Sequence, residues 1–140
     1  MNTPNFHRDI ITYLRADLDL TTLLGGADKI HDTLALDYNN APLLVYEFTP
    51  DASHTSAIGS YESGELKMTI INKTGDAANT HAQVATRVSV LLSRLKNTTI
   101  GNSYVVSACP KTPWKFHIDN SRQQVSYVAT FTIFSRNTPS

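Results

Sequence analysis

Three short motifs in this chain share letters with two catalytic signatures, but neither signature is complete. His7-Arg8-Asp9 spells the start of a kinase catalytic loop, yet kinases also need a glycine-rich loop, a strand lysine and a metal-binding aspartate. Ser93-Arg94-Leu95-Lys96 fits S-x-x-K and Lys73-Thr74-Gly75 fits K-T-G, the pair used by penicillin-recognising acyl-transferases. Their order is reversed and no S-D-N lies between them. None of these motifs therefore predicts catalysis.

The histidines do not have the spacing of metal ligands. They are His7, His31, His54, His81 and His117, and none belongs to an H-E-x-x-H or another zinc pattern. Gly25–Lys29 lacks the G-K-[ST] ending of a phosphate loop. We therefore predict no catalytic residue, no cofactor and no metal. A small enzyme built around His31, Asp32 or His117 remains an alternative.

Aromatic and basic side chains alternate in Lys111–His117, which reads KTPWKFH. Trp114 and Phe116 could stack on nucleic-acid bases beside the lysines. Trp114 could equally anchor the core or a protein interface, where tryptophan is favoured. Twelve basic residues balance twelve acidic ones, so the chain lacks the positive excess that nucleic-acid coating draws on. The composition favours a core or interface role, and a nucleic-acid module remains the minor alternative.

The totals indicate one domain over residues 1–140. The single cysteine, Cys109, excludes an intrachain disulfide and is expected to be a small apolar residue in a strand. No basic segment followed by an apolar run opens the chain, so no secretory signal is expected. No apolar run is long enough to predict a membrane span.

The strongest helical pattern covers Asp76–Lys96, with Asp76 as the expected N-cap. Its apolar face is predicted to hold Ala78, His81, Ala85, Val88, Leu92 and Leu95. A first helix is predicted over residues 6–16. A short second helical turn is predicted to start at Asp19 or Thr21 and to end at Gly25.

Alternating patterns predict the strands. They are a brief strand at Lys29–His31, then Leu43–Phe48, Glu65–Ile71, Ser103–Cys109, Trp114–Ile118 and Gln123–Phe134. Pro110 and Pro113 are expected to break pairing and make Trp114–Ile118 a short or edge strand. Thr49–Gly64 lacks periodicity and is predicted to be a long flexible loop, centred on residues 50–64, at the tip of a hairpin. Residues 1–5 and 136–140 are expected to be loose tails.

This element order predicts an α+β fold: a mainly antiparallel β-sheet with two α-helices packed on one face. The other sheet face is semi-polar and carries Val128 and Phe134. We expect a partner subunit to cover it.

The pattern resembles the tail terminator, or tail-completion, proteins of long-tailed bacteriophages, over roughly residues 6–135. The resembling stretches are an opening helix that runs into LRADLDLTTLLGG, the short KIHD segment, the strand APLLVYEF, a long variable loop, the strand-turn-helix GELKMTIINKTGDAANTHAQVATRVSVLLSRL and the closing VSYVATFTIF.

The resemblance implies a non-enzymatic virion subunit, made in the host cytoplasm, that forms a ring, usually a hexamer. Such a ring caps the tail tube, stops its polymerisation and presents a surface to the head-side neck. Its partners would be copies of itself, the tail tube protein and a head-completion protein, while DNA passes the channel without specific binding. Another neck component, such as a head-closure or adaptor protein, or a tail-tube subunit remains the alternative.

A long polar tip can order on docking, so the loop is our candidate for contact with the tube or neck. The predicted contact residues are His54, Thr55, Ser56, Ile58, Tyr61, Trp114 and Phe134.

Overall fold

The computed structural model describes residues 6–32, 42–56, 59–75, 79–101, 103–121 and 123–136. The helices are α1 (Phe6–Arg15), α2 (Leu18–Leu24) and α3 (Thr80–Ser93), with a 3-10 helix at Ala27–Lys29. The strands are β1 (Ile30–Asp32), β2 (Leu43–Ser56), β3 (Gly59–Lys73), β4 (Thr98–Ile100), β5 (Ser103–Asp119) and β6 (Gln124–Arg136). None of the described helices combines the length and apolar character needed to cross a membrane.

The strands form one sheet in the order β1-β2-β3-β6-β5-β4. Every neighbouring pair is antiparallel except β1 and β2, which are parallel. The predicted α+β class with a mainly antiparallel sheet is therefore confirmed, and the sheet is mixed because of β1. The brief strand expected at Lys29–His31 is β1, shifted by one residue.

The helix layer contains three α-helices among the described residues, not two, because α2 is a complete short helix. Asp17 caps it by accepting a 2.9 Å hydrogen bond from the Leu20 backbone N–H, so the predicted starts at Asp19 and Thr21 are wrong. Gly25 ends α2 at φ +91°, a left-handed conformation that favours glycine. Helix α1 matches its predicted span closely.

Helix α3 is shorter at its start than the sequence pattern predicts. It begins at Thr80, and its N-cap is Asn79 at φ +52°, so Asp76 is not the cap. Asp76 and Ala78 themselves lie outside the described residues. The side chains that α3 buries are Val84, Ala85, Val88, Leu91 and Leu92, followed by Leu95. The four members of the predicted face that follow His81 (Ala85, Val88, Leu92 and Leu95) are thus all in the core, and Val84 and Leu91 widen the buried face.

The core lies between the helix layer and one sheet face. Successive strand residues point to opposite faces, so Leu66, Met68 and Ile70 of β3 all face the helices and are fully buried. A second buried cluster of Leu43, Val45 and Ile71 lies on the other face. Burial of this apolar area is the main force that holds helices and sheet together.

The β2–β3 hairpin is longer than predicted. Residues 50–56 and 59–64, expected to be loop, are strand and pair up to Ser56 opposite Gly59, with one register shift between Pro50 and Ala52. The predicted long loop is therefore wrong for these residues. β3 also pairs with β6 as far as Tyr61 opposite Arg136, so polar residues here extend as strand because neighbouring strands complete their backbone hydrogen bonds.

Strand β5 continues through both prolines, contrary to prediction. The ladder with β6 shifts register around Pro110 and again between Thr112 and Lys115. Thr112 Oγ1 accepts a 3.0 Å hydrogen bond from the Thr130 backbone N–H at this irregularity. Bulges let a strand carry proline, which cannot donate to the ladder. Trp114–Ile118 is thus the second half of one long strand and not a short one, but it lies at the edge of the described sheet as predicted, because β4 pairs only with Ser103–Val105.

Candidate functional site

Most of the predicted contact residues lie at the distal end of the β2–β3 hairpin. His54, Thr55 and Ser56 are the last residues of β2, opposite Tyr61, Ser60 and Gly59. The side chains of these strand residues and the whole of Ile58 lie outside what the structure describes. The backbone therefore brings four of the predicted residues together on one arm.

Phe134 lies at the base of this arm. It pairs with Ser63 of β3 and with Ser107 of β5, and 38% of its surface is exposed. These partners place Phe134 on the sheet face that points away from the helices. Val128, which pairs with Thr69 and Lys115, lies on the same face. Phe134 is thus an exposed aromatic beside the arm.

Trp114 lies elsewhere, between the sheet and α3. Its indole Nε1 donates a 2.9 Å hydrogen bond to Ser89 Oγ. Its ring centroid lies 5.6 Å from that of Tyr127 and 6.1 Å from that of Phe131. These contacts satisfy both the apolar ring and the polar N–H. Trp114 therefore packs partly buried against the core, and it does not join the arm residues.

His81 extends this aromatic group. Its ring lies 5.6 Å from Phe116 and 6.0 Å from Tyr127, as expected of a packed histidine. Its Nδ1 is buried without a hydrogen-bond partner among the described residues. Phe116 itself is 49% exposed and Ile118 is 57% exposed. Phe116 and Ile118 follow Trp114 at every second position of the strand, and this alternation could have predicted that the three side chains share one face of the sheet.

Two shallow grooves run along the outer side of α3. One, of about 450 Å³, lies between α3 and Leu23 of α2, and the other, of about 430 Å³, lies between α3 and Trp114. Ala82, Thr86 and Val90 line both grooves, so they form the ridge between them. The residues lining both grooves show no arrangement suited to catalysis.

A bidentate ion pair fixes α2 to α3. Arg87 Nε and Nη2 donate to the two carboxylate oxygens of Asp17 at 2.9 and 2.7 Å. The hydrogen bonds from Arg87 hold the pKa of Asp17 below its ordinary value, and the same contact raises the pKa of Arg87. Nearby, Tyr13 donates to the Leu91 carbonyl at 2.9 Å, and burial raises the pKa of its hydroxyl. These groups position the helices relative to each other, and Arg87 also lines the groove between α2 and α3.

Within the described parts of the chain, no three His, Cys, Asp or Glu side chains come close enough to hold a metal ion. His31 and Asp32 lie in β1, whereas His117 lies in β5, and three strands (β2, β3 and β6) lie between β1 and β5 in the sheet. The sheet thus does not bring together the residues of the alternative enzyme hypothesis. Cys109 lies in a strand as predicted, but it is exposed.

No family model matches the chain, and no curated protein matches it in sequence. Among solved structures, a chain from the virion of a native gene transfer agent (GTA) particle has a similar fold, with a TM-score of 0.70. The two chains are 16% identical, and the match covers 91% of this chain and 92% of that one. At this identity, the similarity is one of fold.

Proposed function

We propose that this protein is a structural subunit of a virion. The observation that carries the proposal is the fold match to a virion chain, which spans nearly the whole of both chains at a TM-score of 0.70. The match covers 91% of this chain, so it extends over most of the sheet and its helices. Fold alone does not determine function, so the proposal needs its own test.

Within the virion, the proposed role is that of a tail terminator: a ring, usually of six copies, that caps the tail tube and joins it to the head-side neck. The resemblance in element order supports this role, and so does the exposed aromatic Phe134 on the second sheet face. Exposed apolar groups on a neutral protein suit repeated self-association. The proposed role is structural, without catalysis and without a cofactor.

The β2–β3 arm is the proposed contact with the tube or neck. Its two strands are paired as far as Ser56 opposite Gly59, so the arm is a preformed β-ribbon and not a loop that orders on docking. A preformed ribbon loses less conformational entropy on binding than a flexible loop does. The proposed contacts on and beside it are His54, Thr55, Ser56, Ile58, Tyr61 and Phe134, with Trp114 as a separate interface anchor.

The test combines native mass spectrometry of the purified protein with electron microscopy of purified tail tubes. We expect a closed assembly whose mass is a whole multiple of 15.4 kDa, and binding at one end of each tube. Stacked rings that grow without limit would support a tube subunit instead. A monomer at every concentration, with bare tube ends, would overturn the proposal.

A further inference from the structure

The last five residues of β5, Lys115–Asp119, form an open edge of the sheet. All five are exposed, although alternate side chains of a strand point to opposite faces, so both faces are uncovered here. Among the described residues, the outer neighbour of β5 is β4, which pairs only with Ser103–Val105. The outer backbone groups of the open edge thus have no described strand beside them, and such an edge is a template for a further strand.

Two prolines set the limit of the open edge. Pro110 and Pro113 precede it, and proline has no backbone N–H to donate to a ladder. The register of β5 with β6 shifts between Pro110 and Lys115, whereas it is regular from Lys115 to Asp119. A strand that pairs with the open edge therefore meets five residues of regular backbone and ends at Pro113.

The side chains of the open edge divide into an apolar face and a charged face. Phe116 and Ile118, which are 49% and 57% exposed, lie on the helix side of the sheet. Lys115, His117 and Asp119 alternate with them and lie on the other side. The positive Lys115 and the negative Asp119 are each two residues from His117, so the charges are placed symmetrically about this histidine.

We propose that the open edge pairs with the open edge of a second copy of this chain, antiparallel and centred on His117. In this register Phe116 of each copy lies opposite Ile118 of the other, and Lys115 lies opposite Asp119. Exposed apolar side chains therefore meet on one face and opposite charges meet on the other, the cross-strand pairs that stabilise a sheet. Because the pairing is two-fold, each of these contacts occurs twice.

The carboxylate of Asp119 is held in place by its own turn. Its Oδ1 accepts hydrogen bonds from the Ser121 backbone N–H at 3.1 Å and from the Ser121 hydroxyl at 2.7 Å. A group that is already oriented loses less conformational entropy when it binds. Five paired residues on each copy still make a small contact, and small contacts belong to weak and transient associations.

The contact is separate from the ring of the proposed function. It is isologous, so it joins copies in pairs and does not itself close a ring. The paired strands run antiparallel, so the β2–β3 arms of the two copies point in opposite directions. The sheet of one copy continues into the sheet of the other, and the outer N–H and C=O groups of both open edges gain partners.

The experiment traps the pair through a disulfide, in a background in which the exposed Cys109 is replaced by Ser. His117→Cys places one thiol of each copy directly opposite the other, with Cα atoms about 4.5–5.5 Å apart, a separation that a disulfide spans. Mild oxidation should give a covalent dimer of twice the 15.4 kDa chain mass on a non-reducing gel. Lys115→Cys, on the same face of the same strand, is the matched control. Its two thiols lie roughly 13–14 Å apart along the strands, so it should not crosslink.

A mixture of Lys115→Cys and Asp119→Cys tests the register. These two positions lie opposite each other in the proposed pair, so the mixture should crosslink although neither variant does so alone. The mixed pair also keeps one Lys115–Asp119 contact, because each variant retains the residue that the other has lost. Circular dichroism checks that every variant is folded, as expected for exposed positions.

The outcomes separate this pairing from the proposed function. A His117→Cys protein that crosslinks no faster than Lys115→Cys would overturn the pairing, even where closed rings form and cap tail tubes. A mixture of Lys115→Cys and Asp119→Cys that stays unlinked while His117→Cys crosslinks would overturn the proposed antiparallel register. Crosslinked pairs in a protein that leaves tail tubes bare would support the pairing and count against the proposed function.

Discussion

Gly64 is the position where the structure most sharply limits a side chain, and it lies at the base of the arm. A Cβ placed there would lie 2.2 Å from Phe48 Cζ and 2.9 Å from the Thr49 backbone oxygen. Carbon atoms pack at about 3.5–4.0 Å, so the Phe48 ring must leave its place. Phe48 packs against the main core cluster, and displacing it exposes apolar surface.

We therefore expect Gly64→Ala to reduce the free energy of unfolding by about 1–3 kcal/mol, the range for overpacking a well-packed site. For a chain of this length that corresponds to a fall in Tm of roughly 3–12 °C. The assay is thermal unfolding followed by circular dichroism, with urea unfolding to give the free energy.

The Phe48→Ala background is the control, because it removes the ring that Gly64→Ala would meet. In that background the second substitution should cost much less, giving a coupling of about 1 kcal/mol or more between the two positions. The contact with the Thr49 backbone oxygen remains and should leave a residual loss. A Gly64→Ala protein with unchanged Tm, or equal losses in both backgrounds, would refute the packing argument.

Three further predictions concern the helix layer and its contacts. Asp17→Asn keeps an acceptor for the helix cap but loses the ion pair with Arg87. That pair lowers the pKa of Asp17 in the folded protein. The pair therefore stabilises the fold above the ordinary carboxyl pKa of about 3.9, and this stabilisation is lost as the pH falls through the folded-state pKa. Urea unfolding should thus show a wild-type advantage at neutral pH that vanishes in strong acid, and an advantage equal at both pH values would contradict it. Gly101→Ala should lower the free energy of unfolding by about 1–2 kcal/mol because of the left-handed φ of +56°. It should lower it further because the new Cβ would lie 2.5 Å from Asp9 Oδ1. Adding Asp9→Ala removes only the second cost, so thermal unfolding should show a partial recovery of stability. Trp114→Phe should lower the free energy of unfolding by about 1 kcal/mol, because it removes the hydrogen bond to Ser89. Adding Ser89→Ala should then lower it little further, since the bond is already lost. Additive losses in urea unfolding would contradict a stabilising bond between the two side chains.

The sequence predicts the helices and the buried strands because their apolar periodicity is local. Helix α1, the end of α2 at Gly25 and the alternation of Leu66, Met68 and Ile70 all follow from residue spacing. The start of α3 at Thr80 does not follow from spacing, because the apolar pattern of the sequence continues upstream of Asn79, which caps the helix in a left-handed conformation. Periodicity marks a face, but caps decide the boundary.

The arm and the long β5 could not be predicted because their cause is not local. Gly59–Gly64 has no alternating pattern, and it is strand because β2 and β6 pair with it. Pro110 and Pro113 predict a break, yet register shifts and Thr112 let the ladder with β6 continue. The predicted loop residues remain together on the arm, whereas Trp114 was separated from them by packing under α3.

The central claim is that copies of this protein close a ring on the end of a tail tube. Electron microscopy of tail tubes growing from purified tube protein, with and without this protein, tests it most directly. We predict tubes that stop lengthening and carry one ring-shaped cap at a single end. Tubes that lengthen at the same rate and show unchanged ends in the presence of excess protein would contradict the account.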